Sequence, residues 1–136
     1  MGGFSSFDIS ATGLFAQRTR LDVIANNIAN AETTRTVEGG PYVRQQVTFQ
    51  EALDAKLKGG AGVEVESVEP DATPARMVYD PGHPDARPDG YVAMPNVNII
   101  EEMVDMTAAT RSYEANVTAM NAAKTMFSAA LEIGRA

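Results

Sequence analysis

His83 is the one histidine of a 136-residue chain, and it stands between Asp80 and Asp85 on a stretch stiffened by Pro81 and Pro84. An imidazole with carboxylates close by is the raw material of a metal site, or of a relay that activates a nucleophile. A metal site asks for more donors than the one imidazole and two carboxylates this loop offers. A relay needs a serine held on a strand-turn-helix elbow, and no segment of the sequence has that form. Glu101 and Glu102 are a second pair of acids, but adjacent residues on a helix diverge and cannot flank one glycosidic bond. The pairs Gly2-Gly3, Gly39-Gly40 and Gly59-Gly60 lack the lysine of a phosphate-binding loop. With no cysteine there is no thiolate chemistry, no disulfide and no cysteine-based zinc. The residues therefore predict no enzyme, no cofactor and no metal, and they assign Asp80, Pro81, His83 and Pro84 to a structural turn.

Charge narrows the partners further. The formal net charge is −7 and no Lys/Arg cluster occurs, which argues against nucleic acid. No run approaches 18 apolar residues, so no direct membrane insertion is expected. The opening MGGFSSFDISATG has neither the basic nor the apolar region of a cleaved signal peptide.

What remains to be positioned is surface, and two long helices supply it. In the C-terminal segment Ile99, Met103, Met106, Thr110, Tyr113, Val117, Met120, Lys124, Phe127 and Leu131 follow in alternating steps of four and three, the seam of a coiled coil. Asn98 is placed to cap that helix, with Glu101 three residues on, while Pro95 blocks continuity upstream. Gly134-Arg135 suits its end. Thr110 and Lys124 interrupt the seam: polar residues at such positions either fix register and partner choice or, in the case of Lys124, snorkel outward to water. A second line, Ile100, Val104, Ala108, Ala115, Ala122, Ala129 and Ile133, runs beside the seam. A helix with two such lines is buried on more than one side, which in a short chain favours packing between subunits.

The N-terminal segment predicts a helix from about Phe7 to Ala31, because Phe7, Leu14, Leu21 and Ile28 fall seven apart and Ala11, Ile24 and Ala25 fill the same face. Ser5 and Ser6 are its expected caps. Asn26, Asn27 and Asn30 crowd its end despite poor helix propensity. Their amides both donate and accept, and the expectation is that they bond across to adjacent subunits in a buried polar layer.

Between the helices the composition turns to Gly, Pro and Asp. Val43, Gln45, Val47 and Phe49 alternate as a strand does, as do Val63 and Val65, and short strands are expected at 77–79 and 91–94. Thr48-Phe49-Gln50-Glu51 has capping-box form ahead of Ala52, Leu53 and Leu57, with Gly59-Gly60 as a stop, so a short helix is expected there. The fold class that follows is mainly α with a small β-rich insert. Two long terminal helices pair as an antiparallel coiled coil and flank a short-strand and loop domain. Residues 1–32 plus 97–136 form the helical assembly part, and residues 33–96 form the insert.

The run from Leu21 to Thr34, with Ala25-Asn26-Asn27-Ile28-Ala29-Asn30 at its centre, resembles the N-terminal signature of bacterial flagellar rod and hook proteins. The stretches Val78 to Ala86, Gly90-Tyr91-Val92 and Met94 to Asn98 are similar to the FlgC-type proximal rod family. So are Glu102 to Met106, Tyr113-Glu114-Ala115-Asn116-Val117 and the closing Leu131 to Arg135. Arg87 departs from the pattern, in a place where a small or acidic residue is expected. The resemblance covers nearly the whole chain.

It implies a structural subunit of the periplasmic drive-shaft of the flagellar basal body, exported by the type III apparatus without a cleaved signal. Its implied partners are other copies of itself, other rod proteins, the basal-body base at the MS ring and export-gate junction, and the export apparatus. The residues implied in assembly and helix packing are Leu14, Leu21, Ile24, Asn26, Asn27, Ile28 and Asn30 on the first helix. On the second they are Ile99, Met103, Met106, Tyr113, Val117, Met120, Phe127 and Leu131. Two rival readings are another axial rod or hook member and a free-standing adaptor that docks one amphipathic helix in a partner's groove.

Overall fold

The computed structural model describes residues 2–52 and 62–135. Helix α1 spans Gly2–Ala29, strands β1 to β4 span Gln45–Ala52, Gly62–Pro70, Arg76–Tyr79 and Tyr91–Met94, and helix α2 spans Ile99–Arg135. The molecule is thus two long helices with two small antiparallel sheets between them, β1 with β2 and β3 with β4.

Helix α1 starts earlier than its periodicity predicts, so Ser5 and Ser6 lie within the helix and do not cap it. Nothing from Gly2 to Ser6 is branched at Cβ or lacks an N–H, and extending an existing helix costs far less than nucleating one. Its C-terminal end tightens into a turn. Asn30 N–H still reaches Asn26 O, whereas Ala31 and Thr33 bond three residues back, to Ile28 O and Asn30 O. Helix α2 is capped as expected: Asn98 Oδ1 accepts from Ile100 N–H at 3.1 Å, with Glu101 and Glu102 in the first turn.

The capping box expected at Thr48 to Glu51 is not what forms. Thr48, Phe49, Gln50 and Glu51 lie in β1 opposite Ser67, Val65, Glu64 and Val63, with a bulge between Thr48 and Phe49. The partner strand satisfies the backbone groups that a helix start would leave open, and the Val47/Phe49 alternation suits a half-covered ladder better than a cap. Leu53, Leu57 and Gly59-Gly60 lie outside the described residues.

The helices run side by side in opposite directions. Asn27 meets Glu102, Arg20 lies 3.8 Å from Asp105, and Gly13 faces Asn116. The β1–β2 hairpin lies along the same helix α1, from Gln45 beside Asn27 back to Val63, whose N–H donates to Thr12 Oγ1 at 3.1 Å. Among the described residues the buried apolar side chains are few and of small to medium size: Ala16, Ile24, Ala31, Val92, Val97 and Ala109.

One correction concerns the seam of α2. The face turned to α1 carries Glu102, Met106, Ala109, Asn116, Met120 and Ala123, all buried or half-buried. Met106 and Met120 belong to the predicted line, and Tyr113 and Phe127 sit at its edge. Those two are exposed, as are Ile99, Met103, Thr110, Val117, Lys124 and Leu131. A heptad repeat says that one stripe is covered but not which of two adjacent stripes. Here Glu102 must reach partners on the α1 side, and the small Ala109 lets the helices approach, which turns the helix toward the Glu102 line.

Candidate functional site: a polar junction of helices and insert

The most deeply buried polar side chains in the described residues are Asn27 and Glu102, at 1% and 0% exposure. Asn27 projects from the last turns of α1 into the point where β1 begins, and its amide is fully used. Nδ2 donates to Gln45 O at 2.8 Å and to Glu102 Oε2 at 3.3 Å. Oδ1 accepts from Gln45 N–H at 2.9 Å and from Tyr42 O–H at 2.9 Å. By bonding both backbone groups of Gln45, the side chain stands in for a neighbouring strand at the start of β1. Asp could not replace it, because a carboxylate cannot donate to Gln45 O and would face Glu102.

Arg44 completes the junction from the insert side. Its Nε donates to Glu102 Oε1, its Nη1 lies 3.0 Å from Asp71 Oδ2, and its Nη2 lies 3.8 Å from Asp105 Oδ2. The backbone around it is held as well. Arg44 N–H donates to Asn96 Oδ1 at 2.8 Å, Asp71 N–H donates to Arg44 O at 2.8 Å, and Asn96 Nδ2 donates to Thr73 O at 2.9 Å. One cation thereby ties the first turn of α2, the approach to β1, the β2–β3 connection and the β4–α2 link. A cleft of about 210 Å³ between Arg20, Ile24, Arg44 and Glu102 opens beside it, which leaves the guanidinium 22% exposed and partly hydrated.

The electrostatics follow from this arrangement. Burial pulls the Arg44 guanidinium down, but the bonds to Glu102 and Asp71 outweigh it and hold the group above its ordinary pKa. The Thr73 hydroxyl and amide, with Arg44 behind them, hold Asp71 below the usual carboxylate range. Burial, and then the charge of Glu102, push the Tyr42 phenol up.

A second fastening joins the loop after α1 to the proline-rich turn. Thr34 Oγ1 donates to Asp85 Oδ2 at 2.7 Å, and Arg35 donates to Asp85 Oδ1 through Nε at 3.0 Å and through Nη2. The Thr34 hydroxyl, then Arg35, hold Asp85 below its ordinary pKa. His83 serves the turn itself: Nδ1 accepts from Asp85 N–H at 3.0 Å. Asp80 N–H donates to Gly90 O, and Arg87 N–H donates to Tyr91 O, so the backbone of Arg87 fits the turn. Gly90 has φ +86°, and a Cβ there would fall 2.7 Å from the ring of Tyr79, which packs edge-on against Tyr91 with centroids 5.2 Å apart.

The three asparagines of the N-terminal motif have separate fates. Asn26 is exposed, Asn30 Nδ2 bonds back to Asn26 O and its Oδ1 accepts from Thr33, and Asn27 is buried within the chain. The expected cross-subunit partners of Asn27 are corrected to partners in the insert and in α2, since both lone-pair and both N–H directions of its amide are already taken. Leu14, Leu21 and Ile28 are half-buried and Ile24 is buried on the same helix. Sequence reasoning passed over Arg44, Glu102, Tyr42, Asp71 and Asn96. A usable signal existed for Glu102, which stands one heptad before Ala109 and two before Asn116 on a helix whose other acids lie off that line.

Comparison with known proteins matches both ends of the chain. Residues 7–35 fit the model described as flagella basal body rod protein, and residues 89–133 fit that of the flagellar basal body rod FlgEFG protein C-terminal region. The flagellar basal-body rod protein FlgC of Borreliella burgdorferi is 49% identical over 149 aligned positions, covering 98% of each chain. That of Bacillus subtilis is 45% identical over 150 positions, covering 99% of this chain and 100% of its own. That of Salmonella typhimurium is 43% identical over 130 positions, covering 95% and 96%.

Proposed function

The chain belongs to the FlgC-type flagellar basal-body rod proteins and is a structural rod subunit of the basal body, and from that premise we propose that it assembles through the outward face of α2. The observation that carries this reading is the line Ile100, Val104, Ala108, Ala115, Ala122, Ala129 and Ile133, every member of which is exposed. Ile100, Val104 and Ile133 keep 74%, 63% and 78% of their surface open. Large contiguous apolar surface is unusual on a free-standing protein, and a stripe of alanines lets another helix approach closely.

In this reading residues 1–32 and 97–136 pack against copies of the chain and against other rod proteins as a helical tube, with α1 and α2 supercoiled as an antiparallel coiled coil. The insert at 33–96 forms an outer clasp. Each apolar side chain buried between subunits contributes roughly 1.5–3 kcal/mol, so torque passes through many modest contacts. Assembly in the periplasm follows export by the flagellar type III apparatus, and the rod is seated on the basal-body base.

Substituting both Ala115→Asp and Ala122→Asp puts two carboxylates on the open face without touching the α1 side. The expected result is loss of rod incorporation and motility, while the purified variant keeps its helical circular dichroism. Normal motility with variant chains in isolated basal bodies would overturn the assignment of this face. A soluble one-to-one complex in place of a polymer would favour an adaptor.

A further inference from the structure

The apolar part of the α1–α2 contact does not define how far one helix lies along the other. Met106, Tyr113, Met120 and Phe127 fall seven apart, so sliding α2 by one heptad replaces each with another large apolar side chain. The adjoining line behaves differently. It reads Glu102, Ala109, Asn116, Ala123, with polar and small residues in alternation, so a slip of seven residues sets small residues where polar ones stood. The facing line of α1 also steps by sevens, through Asn27, Arg20 and Gly13. Glu102 meets Asn27, and Asn116 meets Gly13.

These two meetings are complementary in different ways. Asn27 needs an acceptor for the N–H that Gln45 does not take, and Glu102 supplies it while holding Arg44. Gly13 supplies space: a Cβ at that position would lie 2.8 Å from Asn116 Nδ2 and 3.1 Å from its Cγ. A slip of one heptad in one direction sets Ala109 against Asn27 and Asn116 against Arg20. In the other it sets Glu102 against Arg20 and leaves Asn27 facing the start of α2. Either slip strands a buried amide while preserving the apolar stripe.

We propose that Asn27–Glu102 and Gly13–Asn116 are two register stations, fourteen residues apart on each helix, that hold α2 at one axial position against α1. The apolar stripe supplies adhesion and the stations supply position. The role expected at Thr110 and Lys124 thus belongs to Glu102 and Asn116, one stripe over.

The chain has no cysteine, so spin labels can be placed at Asp22→Cys and Lys124→Cys, both exposed, without background. Residue 22 lies level with about residue 107, which puts the labels about 25 Å apart along the axis at 1.5 Å per residue. The parent should give a single distance. The variant Glu102→Ala/Asn116→Ala should give a second population displaced by about 10 Å, one heptad. A transposed variant, Glu102→Ala/Ala109→Glu/Asn116→Ala/Ala123→Asn, should shorten the distance by about 10 Å as its main population. A helical variant that keeps the parent distance would overturn the proposal. Loss of helicity in both variants would overturn it equally, because a register device predicts another folded register and not an unfolded chain.

Discussion

The junction at Asn27, Arg44 and Glu102 and the clasp at Thr34, Arg35 and Asp85 use similar chemistry, an arginine on a carboxylate: the first ties the insert to both helices, and the second ties the loop after α1 to the proline-rich turn. They differ in water. Glu102 is fully buried and shares its two oxygens between an amide and a guanidinium that is 22% exposed, whereas Asp85 is 24% exposed and its arginine, Arg35, is 75% exposed. In a buried pair the loss of one partner strands the other without hydration, and in an exposed pair water takes its place. The same contact written on paper is therefore structural in one place and nearly optional in the other.

The largest effect should come from breaking the buried side. Glu102→Ala leaves Asn27 Nδ2 and Arg44 Nε without their acceptor, and because the neighbouring cleft lets water reach Arg44 the expected loss in denaturant unfolding is about 3 kcal/mol, the low end for a buried pair. Glu102→Gln keeps one acceptor oxygen but turns its NH2 toward either Asn27 Nδ2 or Arg44 Nε, so it should recover only part of the loss. Equal losses for the two would mean that one restored acceptor is worth nothing without the charge and the second oxygen.

Asn27→Asp comes next and tests the strand-like role of the amide. The substitution keeps size and shape but removes the donor to Gln45 O and sets a carboxylate 3.3 Å from Glu102. A loss of about 1–3 kcal/mol is expected, with early amide exchange at Gln45. Exchange at Gln45 that matched the parent would show that β1 holds its own start. The loss should also shrink as acid protonates the new carboxylate.

Much of this contrast was hidden in the sequence for physical reasons. Both helices, the cap at Asn98, the strands at 76–79 and 91–94 and the turn around His83 were legible, because they rest on periodicity, caps and turn chemistry that act over a few residues. The cap expected at Thr48 was misread because a capping box and a strand use the same residues, and the choice is made by Ser67 and Val65 from the partner strand. The seam of α2 was misread by one stripe because the deciding residue is an acid, and apolar periodicity gives an acid no weight. Arg44 and Glu102 stand 58 residues apart in the chain, so nothing local announces their meeting.

The smallest effect should come from the clasp, and its dependence on conditions separates it from the junction. Asp85 has a folded-state pKa held below the ordinary carboxylate value, first by the Thr34 hydroxyl and then by Arg35. A depressed pKa means that the folded chain binds its proton less readily than the unfolded chain. The stabilisation is then present above the unfolded value, near pH 4, and is lost as pH falls through the lower folded value. Asp85→Asn should lower the thermal midpoint slightly at pH 7 and not at all in strong acid, where the parent carboxyl is also neutral. High salt should shrink the same difference, because the Arg35 pair is exposed and screened. The Glu102→Ala loss should survive the salt. If Asp85→Asn cost as much as Glu102→Ala at pH 7 in high salt, exposure would not be what distinguishes the two fastenings, and the order argued from burial would be wrong.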